Sequence, residues 1–363
     1  MGYKITLIPG DGIGPEVTQA ARQCIDALGI EIEWEIALAG EPALREKNSL
    51  LPKETLNSIR KNKVALKGPI ITPIGSGFRS VNVALRQTLN LFACVRPAKS
   101  IAGIPSKHKN VNIVVIRENS EDLYAGIEFF KGESSTENLI EELSRLSGKN
   151  ILKDSAISIK PISQSASERV IEFAFEWAQR EERKKITCVH KANIMKATDG
   201  LFLSCFKGIA SRYPNIIAED VIVDNLCMQL ILKPEIFDVL VLPNLYGDII
   251  SEICAGLIGG LGVAPGANIG KEFAVFEPVH GAAPKYAGKN KVNPTATILS
   301  GVMMLKYLGE IEKAKLLEEA TYQVIKEGKF VTYDLKQQRE DPTAVGTKEM
   351  AQAIIEKINK MKK

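Results

Sequence analysis

The chain lacks any strong imbalance of charge: 47 Lys and Arg stand against 43 Asp and Glu, a formal net charge of +4. A nucleic-acid partner calls for a basic stripe that such a balance does not supply. Attraction to acidic ligands must then come from local clusters. Cysteines in C-x-x-C spacing are missing. The six cysteines, at 24, 94, 188, 205, 227 and 254, sit singly inside apolar stretches. That pattern reads as reduced thiols packed as small hydrophobes, and argues against a disulfide framework or a zinc site. No basic segment followed by an apolar run opens the sequence. Nowhere does an apolar run approach the roughly 20 residues of a membrane-spanning helix. Internal repeats and low-complexity tracts are absent too. A cytoplasmic protein without a membrane or nucleic-acid partner is the expectation.

What is present reads as an α/β fold. The 363 residues suggest two domains, or one large one, at about 150 residues per domain. Residues 3–8 form an apolar run that ends in Pro9-Gly10-Asp11-Gly12-Ile13-Gly14-Pro15, with a helix expected from Glu16. Similar runs lie at 111–116, 186–189, 221–223 and 237–242, alternating with helical patterns such as 167–180 and 310–326. Alternation of this kind implies a largely parallel sheet with ligands at the strand ends. The glycine loop is not a dinucleotide fingerprint. Pro15 replaces its third glycine, and no acidic residue closes a second strand about 20 residues on. A tight strand-to-helix turn fits better, with Pro15 at the helix start. The polar stretch 129–165 reads as a surface excursion or a dimerisation arm.

Three sets of residues carry candidate chemistry. Asp224 follows the 221–223 run, and Asp248 and Glu252 sit four apart, so on a helix they share a face. Such a pair is also common on a solvated face. Here its neighbours are mainly small or apolar, where close carboxylates are costly unless a cation neutralises them. Oxygen donors without nearby His or Cys suit Mg²⁺ or Mn²⁺. Arg86, Arg96 and Arg117, with Arg79 nearby, form the second set. Singly each fits a surface charge, yet Arg117 ends the 111–116 run, where α/β sites form and guanidiniums can grip carboxylates bidentately. Tyr124 and Lys191 are candidate proton carriers, provided their surroundings shift their high ordinary pKa values.

Taken in order, IPGDGIGPEV, RSVNVALRQTLNLFACVRP, IRENSEDLYAGIE, VHKANIMKATDGLF, NLYGDIISEICAGLIGGLGVAPGANIG and HGAAPKYAGKNKVNP resemble the isocitrate/isopropylmalate dehydrogenases. The likeness covers nearly the whole chain. It implies an isopropylmalate dehydrogenase-like, non-Rossmann α/β fold of two domains with a dimer clasp. Residues 1–91 and 259–363 would form a large cofactor-binding domain, 92–121 and 164–258 a small dimerisation and substrate domain, and 122–163 an intersubunit clasp. A homodimer with active sites shared between subunits follows from the same resemblance. In it, Arg86, Arg96 and Arg117 match arginines that hold substrate carboxylates, and Tyr124 matches the tyrosine that donates a proton after decarboxylation. Lys191 matches the lysine, contributed across the dimer, that helps remove the hydroxyl proton. Asp224, from the partner, and Asp248 match metal ligands. Glu252 departs from the Asp usual at its position.

The resemblance also bears on substrate and cofactor. Ser80, Asn82 and Val83 lie where members discriminate substrates. A hydroxyl and an amide suit the extra carboxylate of isocitrate, whereas an isopropyl group would leave them unpaired. Ser80 also matches a serine phosphorylated in some bacterial relatives. Lys285, Tyr286, Val292 and Tyr333 match NADP users, although Gln337 stands where an arginine is frequent. His280, Asn293 and Asp334 match positions around the adenosine half, and Thr72 one near the nicotinamide. The expected activity is metal-dependent, NADP-linked oxidative decarboxylation of isocitrate. The alternatives are NAD as cofactor, homoisocitrate, tartrate or isopropylmalate as substrate, or a non-catalytic regulatory subunit.

Overall fold

A computed structural model describes residues 2–72 and 80–362; Arg79 lies outside the described residues. Twelve strands are present among them: β1 (Tyr3–Ile8), β2 (Ile32–Ile36), β3 (Val64–Lys67), β4 (Ala93–Lys99), β5 (Asn112–Glu118), β6 (Glu128–Phe129), β7 (Ile157–Ser158), β8 (Lys185–His190), β9 (Ile217–Ile222), β10 (Val239–Leu242), β11 (Pro265–Ile269) and β12 (Ala274–Pro278). Ten of them form one sheet in the order β2-β1-β3-β12-β11-β4-β5-β10-β8-β9, which differs from the dinucleotide-fold order. Both flanks are parallel, as the alternation implies. The middle is antiparallel. There β11 and β12 are separated only by residues 270–273, too few for the crossover that a parallel pair needs.

Both faces of the sheet are covered, which is why its strands read as continuous apolar runs. Period two divides them. Ile113, Val115, Leu240 and Leu242 face one core, and Val114, Ile116, Val239 and Val241 face the other. Over the first face lie α1 (Gly14–Asp26), α8 (Val223–Leu232), α9 (Asn244–Leu257), α10 (Thr295–Tyr307), α11 (Ile311–Glu327) and α12 (Thr347–Met361). Opposite them, α6 (Gln164–Arg180) and α7 (Thr198–Ala210) cover one half, and α3 (Lys53–Asn62) and α4 (Val81–Thr88) the other. The short α2 (Glu41–Lys47) follows β2. Five of the six cysteines are buried and all are free. Among the described residues no helix is long and apolar enough to cross a membrane.

Two boundaries move relative to the sequence reading. Helix α1 begins at Gly14, two residues before Glu16, with Pro15 in its first turn, where a missing N–H costs nothing. Val223 opens α8 instead of ending a strand. The polar 129–165 stretch carries α5 (Ser134–Ser147), and among the described residues β6 pairs only with β7. This arm stands outside the main sheet.

Candidate active site

Strand parity assembles the arginines. Arg117 lies opposite Cys94 across β4–β5, and Arg96 is two residues from Cys94, so both guanidiniums rise from the face that α9 covers. Strand β10 pairs with β5 through Leu242 and Arg117, and α9 starts two residues later. Its second turn therefore drops Asp248 onto Arg117. The Arg117 Nη1 donates to Asp248 Oδ1, its Nε donates to Asn244 Oδ1 at 2.9 Å, and Arg96 Nη1 donates to Ser251 Oγ at 2.6 Å and to Asp248 at 3.3 Å. Such close packing requires Gly247, where a Cβ would lie 2.5 Å from Arg117 Cγ. Tyr124, on a 3₁₀ turn (Asp122–Ala125) just past β5, donates its hydroxyl to the other Asp248 oxygen at 2.5 Å and lies 4.6 Å beneath the Arg117 guanidinium.

The electrostatics follow. Burial pushes the Asp248 carboxyl up, but Arg117 and Arg96 outweigh it and hold the group below its ordinary range. Burial lowers Arg117, and repulsion from Arg86 and Arg96 adds to the drop, so the three cations share one region. Tyr124 is raised by burial, against the pull of Arg117, and so keeps its proton. Arg86, in the last turn of α4, donates to Glu277 at 3.1 Å. Among the described residues, one N–H on Arg86 and one on Arg117 are buried without a partner, as is the side-chain oxygen of Asn82. Buried polar atoms left unpaired are costly, and these suit a polar ligand. Ser80 precedes α4 and accepts from Thr72 at 3.1 Å. Val83 is in the same first turn.

A second cluster forms where β8 and β9 end. They run parallel with His190 opposite Ile222, so Lys191 and Asp224 leave the sheet as neighbours, 2.5 Å apart. Its hydrogen bond to Lys191 lowers the exposed Asp224 carboxyl. Glu252 sits one turn after Asp248 on α9. Burial raises its carboxyl and Asp248 raises it further, against Arg96, a strain a divalent cation would relieve. Two carboxylates on one helix face thus fit an oxygen-preferring ion. Among the described residues, no group of three acids, histidines or cysteines in one chain closes around an ion.

The remaining candidates gather along the 280–293 segment. Lys285 lies 5.0 Å over the Tyr286 ring and Lys291 4.8 Å over Tyr333, with the two rings 6.4 Å apart. Asn293 donates to Asp334 at 2.9 Å. Val292 packs on Ile13 and Val17, so the glycine loop abuts this segment. Gly12, at φ +58°, lets Ala282 O approach to where a Cβ would be 2.1 Å away. Burial lowers His280. Its Nδ1 lies 3.1 Å from Gly281 O, and its buried Nε2 has no partner among the described residues.

Sequence reasoning missed the pair beneath Arg86. Glu277 on β12 meets Lys67 on β3 at 2.7 Å as well as Arg86, and Asn268 donates to it at 2.6 Å. Burial opposes its ionisation, but Lys67 and Arg86 win and hold it far below the usual carboxylate range. The available signal was one charged residue in each of two otherwise apolar strands. Asp11 was also missed. It accepts from Glu41 N and Ile71 N at 2.8 Å each, which anchors the segment leading to Thr72.

The family described as isocitrate/isopropylmalate dehydrogenase matches residues 4–354. A regulatory subunit of mitochondrial NAD isocitrate dehydrogenase from Dictyostelium discoideum is 47% identical over 358 residues, 98% of this chain and 93% of that protein. An NADP isocitrate dehydrogenase from Archaeoglobus fulgidus is 43% identical, over 98% of this chain and 93% of its own length. The crystal structure of isocitrate dehydrogenase from Methylococcus capsulatus superposes with a TM-score of 0.89 at 48% identity, covering 98% of this chain and 99% of that one.

Proposed function

This chain belongs to the isocitrate/isopropylmalate dehydrogenase family, and we propose that it oxidises and decarboxylates isocitrate to 2-oxoglutarate and CO₂ with reduction of NADP. One observation carries the substrate reading: Arg86, Arg96 and Arg117 share a region with Asp248 and Tyr124, and donors on two of them lack partners among the described residues. Guanidiniums so placed bind a multiply charged anion. Entry of a substrate carboxylate replaces Asp248 as their partner. Ser80 and Asn82, one turn before Arg86, supply a hydroxyl and an amide for the third carboxylate; an isopropyl group would strand them.

Asp224, Asp248 and Glu252 are the acids that would hold Mg²⁺ or Mn²⁺, which when bound polarises the substrate hydroxyl and its neighbouring carboxylate. The Lys191–Asp224 pair takes the hydroxyl proton, Lys191 acting through Asp224 or water, as hydride leaves the adjacent carbon for the nicotinamide. After CO₂ departs, Tyr124 gives its phenolic proton to the carbon left behind. As the family resemblance implies, each site would draw Lys191 and Asp224 from a second copy in a homodimer, with 122–163 as the clasp. Two features support NADP over NAD: the ammonium groups of Lys285 and Lys291 over adjacent tyrosine rings. They can pair with a 2′-phosphate.

The direct test is reduced-nicotinamide absorbance with the purified chain, isocitrate and Mn²⁺, comparing NADP with NAD. Turnover with a higher kcat/KM for NADP is expected. Preference for isopropylmalate would overturn the substrate reading, preference for NAD the cofactor reading, and inactivity of the chain alone would favour a regulatory role.

A further inference from the structure

We propose that Lys160 is a positioning residue that ties the proton carriers to the arm. The inference rests on the reading of Lys191 and Tyr124 as proton carriers. Lys160 lies two residues past β7, where the chain returns from the arm. Its ammonium is 2.7 Å from Asp199 Oδ1, 3.9 Å from Asp122 Oδ1 and 4.6 Å from the centre of the Tyr246 ring. Asp122 and Asp199 are both fully buried. Two carboxylates in that setting need a cation, and Lys160 is the one that faces both among the described residues.

What those carboxylates hold is the main chain of the site. The second oxygen of Asp199 accepts the Lys191 N–H at 2.7 Å. The second oxygen of Asp122 accepts the Leu245 N–H at 2.8 Å, in the first turn of the helix carrying Asp248. Asp122 Oδ1 accepts the Leu123 N–H at 2.8 Å, one residue before Tyr124. Asp122 itself sits at φ +68°, a conformation that costs a non-glycine residue, so its surroundings must hold it there. His190 Nδ1 accepts the Ala192 N–H at 3.0 Å, which fixes the other side of the Lys191 turn. One ammonium therefore sets three elements against one another, and the arm delivers it. The Pro161 carbonyl, next along the arm, accepts the Asp122 N–H at 3.0 Å.

Replacing Lys160 by Met keeps the stem and removes the charge. Site-resolved amide exchange of the full-length protein, without substrate, reads the tether directly. In Lys160→Met the amides of Lys191, Leu123 and Leu245 should exchange about tenfold faster or more, while α1 and α10–α12 keep their rates. With substrate, kcat should fall about tenfold to a hundredfold and KM should stay within about threefold, because misplacement of an acid–base group acts on the chemical step. Lys160→Arg should restore both. Asp199→Asn breaks the same ion pair without stranding a buried charge. It should speed exchange at Lys191 in the same way, and serves where Lys160→Met does not fold. Unchanged exchange, acceleration spread evenly over the molecule, or an Arg variant no better than Met would overturn the proposal. The exchange arm needs no turnover, so a failure of the isocitrate reading would show as inactivity of the unmutated protein and leave the tether to be judged separately.

Discussion

At the scale of single residues, the site depends on one carboxylate with several suitors. Asp248 is held by Arg117, Arg96 and the Tyr124 hydroxyl, and its depressed pKa keeps it charged. Tyr124 is pushed the other way and remains a donor. Tyr124→Phe removes only that donor. It should lower kcat by about 10²- to 10⁴-fold, the usual worth of a general acid, with KM near its original value in steady-state kinetics. Lys191→Met should do the same at the hydroxyl proton. Near-normal turnover in both variants would show that these roles are wrongly assigned. The arginines were legible as candidates from their place in ordered motifs. The partners that orient them, Asn244, Ser251 and Glu277, were not, because an Asn, Ser or Glu in a sequence carries no mark of what it will face.

At the scale of elements, α9 on β5 decides whether the site exists. Their contact is close because residue 247 has no side chain, and the hydrogen bonds to Asn244 and Asp248 then pin the helix to Arg117. Gly247→Ala would place a methyl among the Arg117 side-chain atoms. Overpacking of this kind costs about 1–3 kcal/mol, and chemical denaturation should read that loss. The displacement also moves Asp248, one of the acids that would hold the metal, so the Mn²⁺ concentration needed for half-maximal turnover should rise in the same variant. Periodicity made these elements visible: the apolar 111–116 and 237–242 runs became β5 and β10, and 167–180 became most of α6. Two ends shifted by one or two residues where local helix chemistry prevailed, at Gly14 and Val223.

Across the whole molecule, Glu277 joins the halves. It sits on β12 and meets Lys67 of β3, Arg86 of α4 and Asn268 of β11, and Asn268 accepts from Asn119 beyond β5. Glu277→Gln leaves two buried cations short of their partner, a change that typically costs about 3–5 kcal/mol. The sign of its pH dependence is fixed by a folded pKa below the unfolded one. Its stabilisation is present above the ordinary Glu value of about 4.3 and is lost as pH falls through the folded value. Urea unfolding of the variant and the parent should therefore differ most near neutrality and converge in acid. The proposed homodimer belongs to this scale as well. Met228, Ile231 and Leu232 on α8 and Ile249 on α9 are exposed, as are Phe130, Leu146 and Leu152 in the arm. These are the apolar side chains that the proposed homodimer would cover, and a two-strand sheet is marginal by itself. Sedimentation should give twice the mass of the chain; a monomer that turns over isocitrate would remove the shared-site reading.

The sequence by itself determined the α/β class, the strands and helices with strong periodicity, and the identity of the candidate side chains, because these depend on neighbours along the chain. Tertiary structure decided which of them meet. Arg96 and Arg117 share a face only because β4 and β5 pair in one register. Lys191 finds Asp224 only because β8 and β9 end side by side. Buried ion pairs such as Lys67–Glu277 and Lys160–Asp199 are fixed by which strands and loops the sheet order makes neighbours, and residues 39 to 210 positions apart carry no local pattern that announces it.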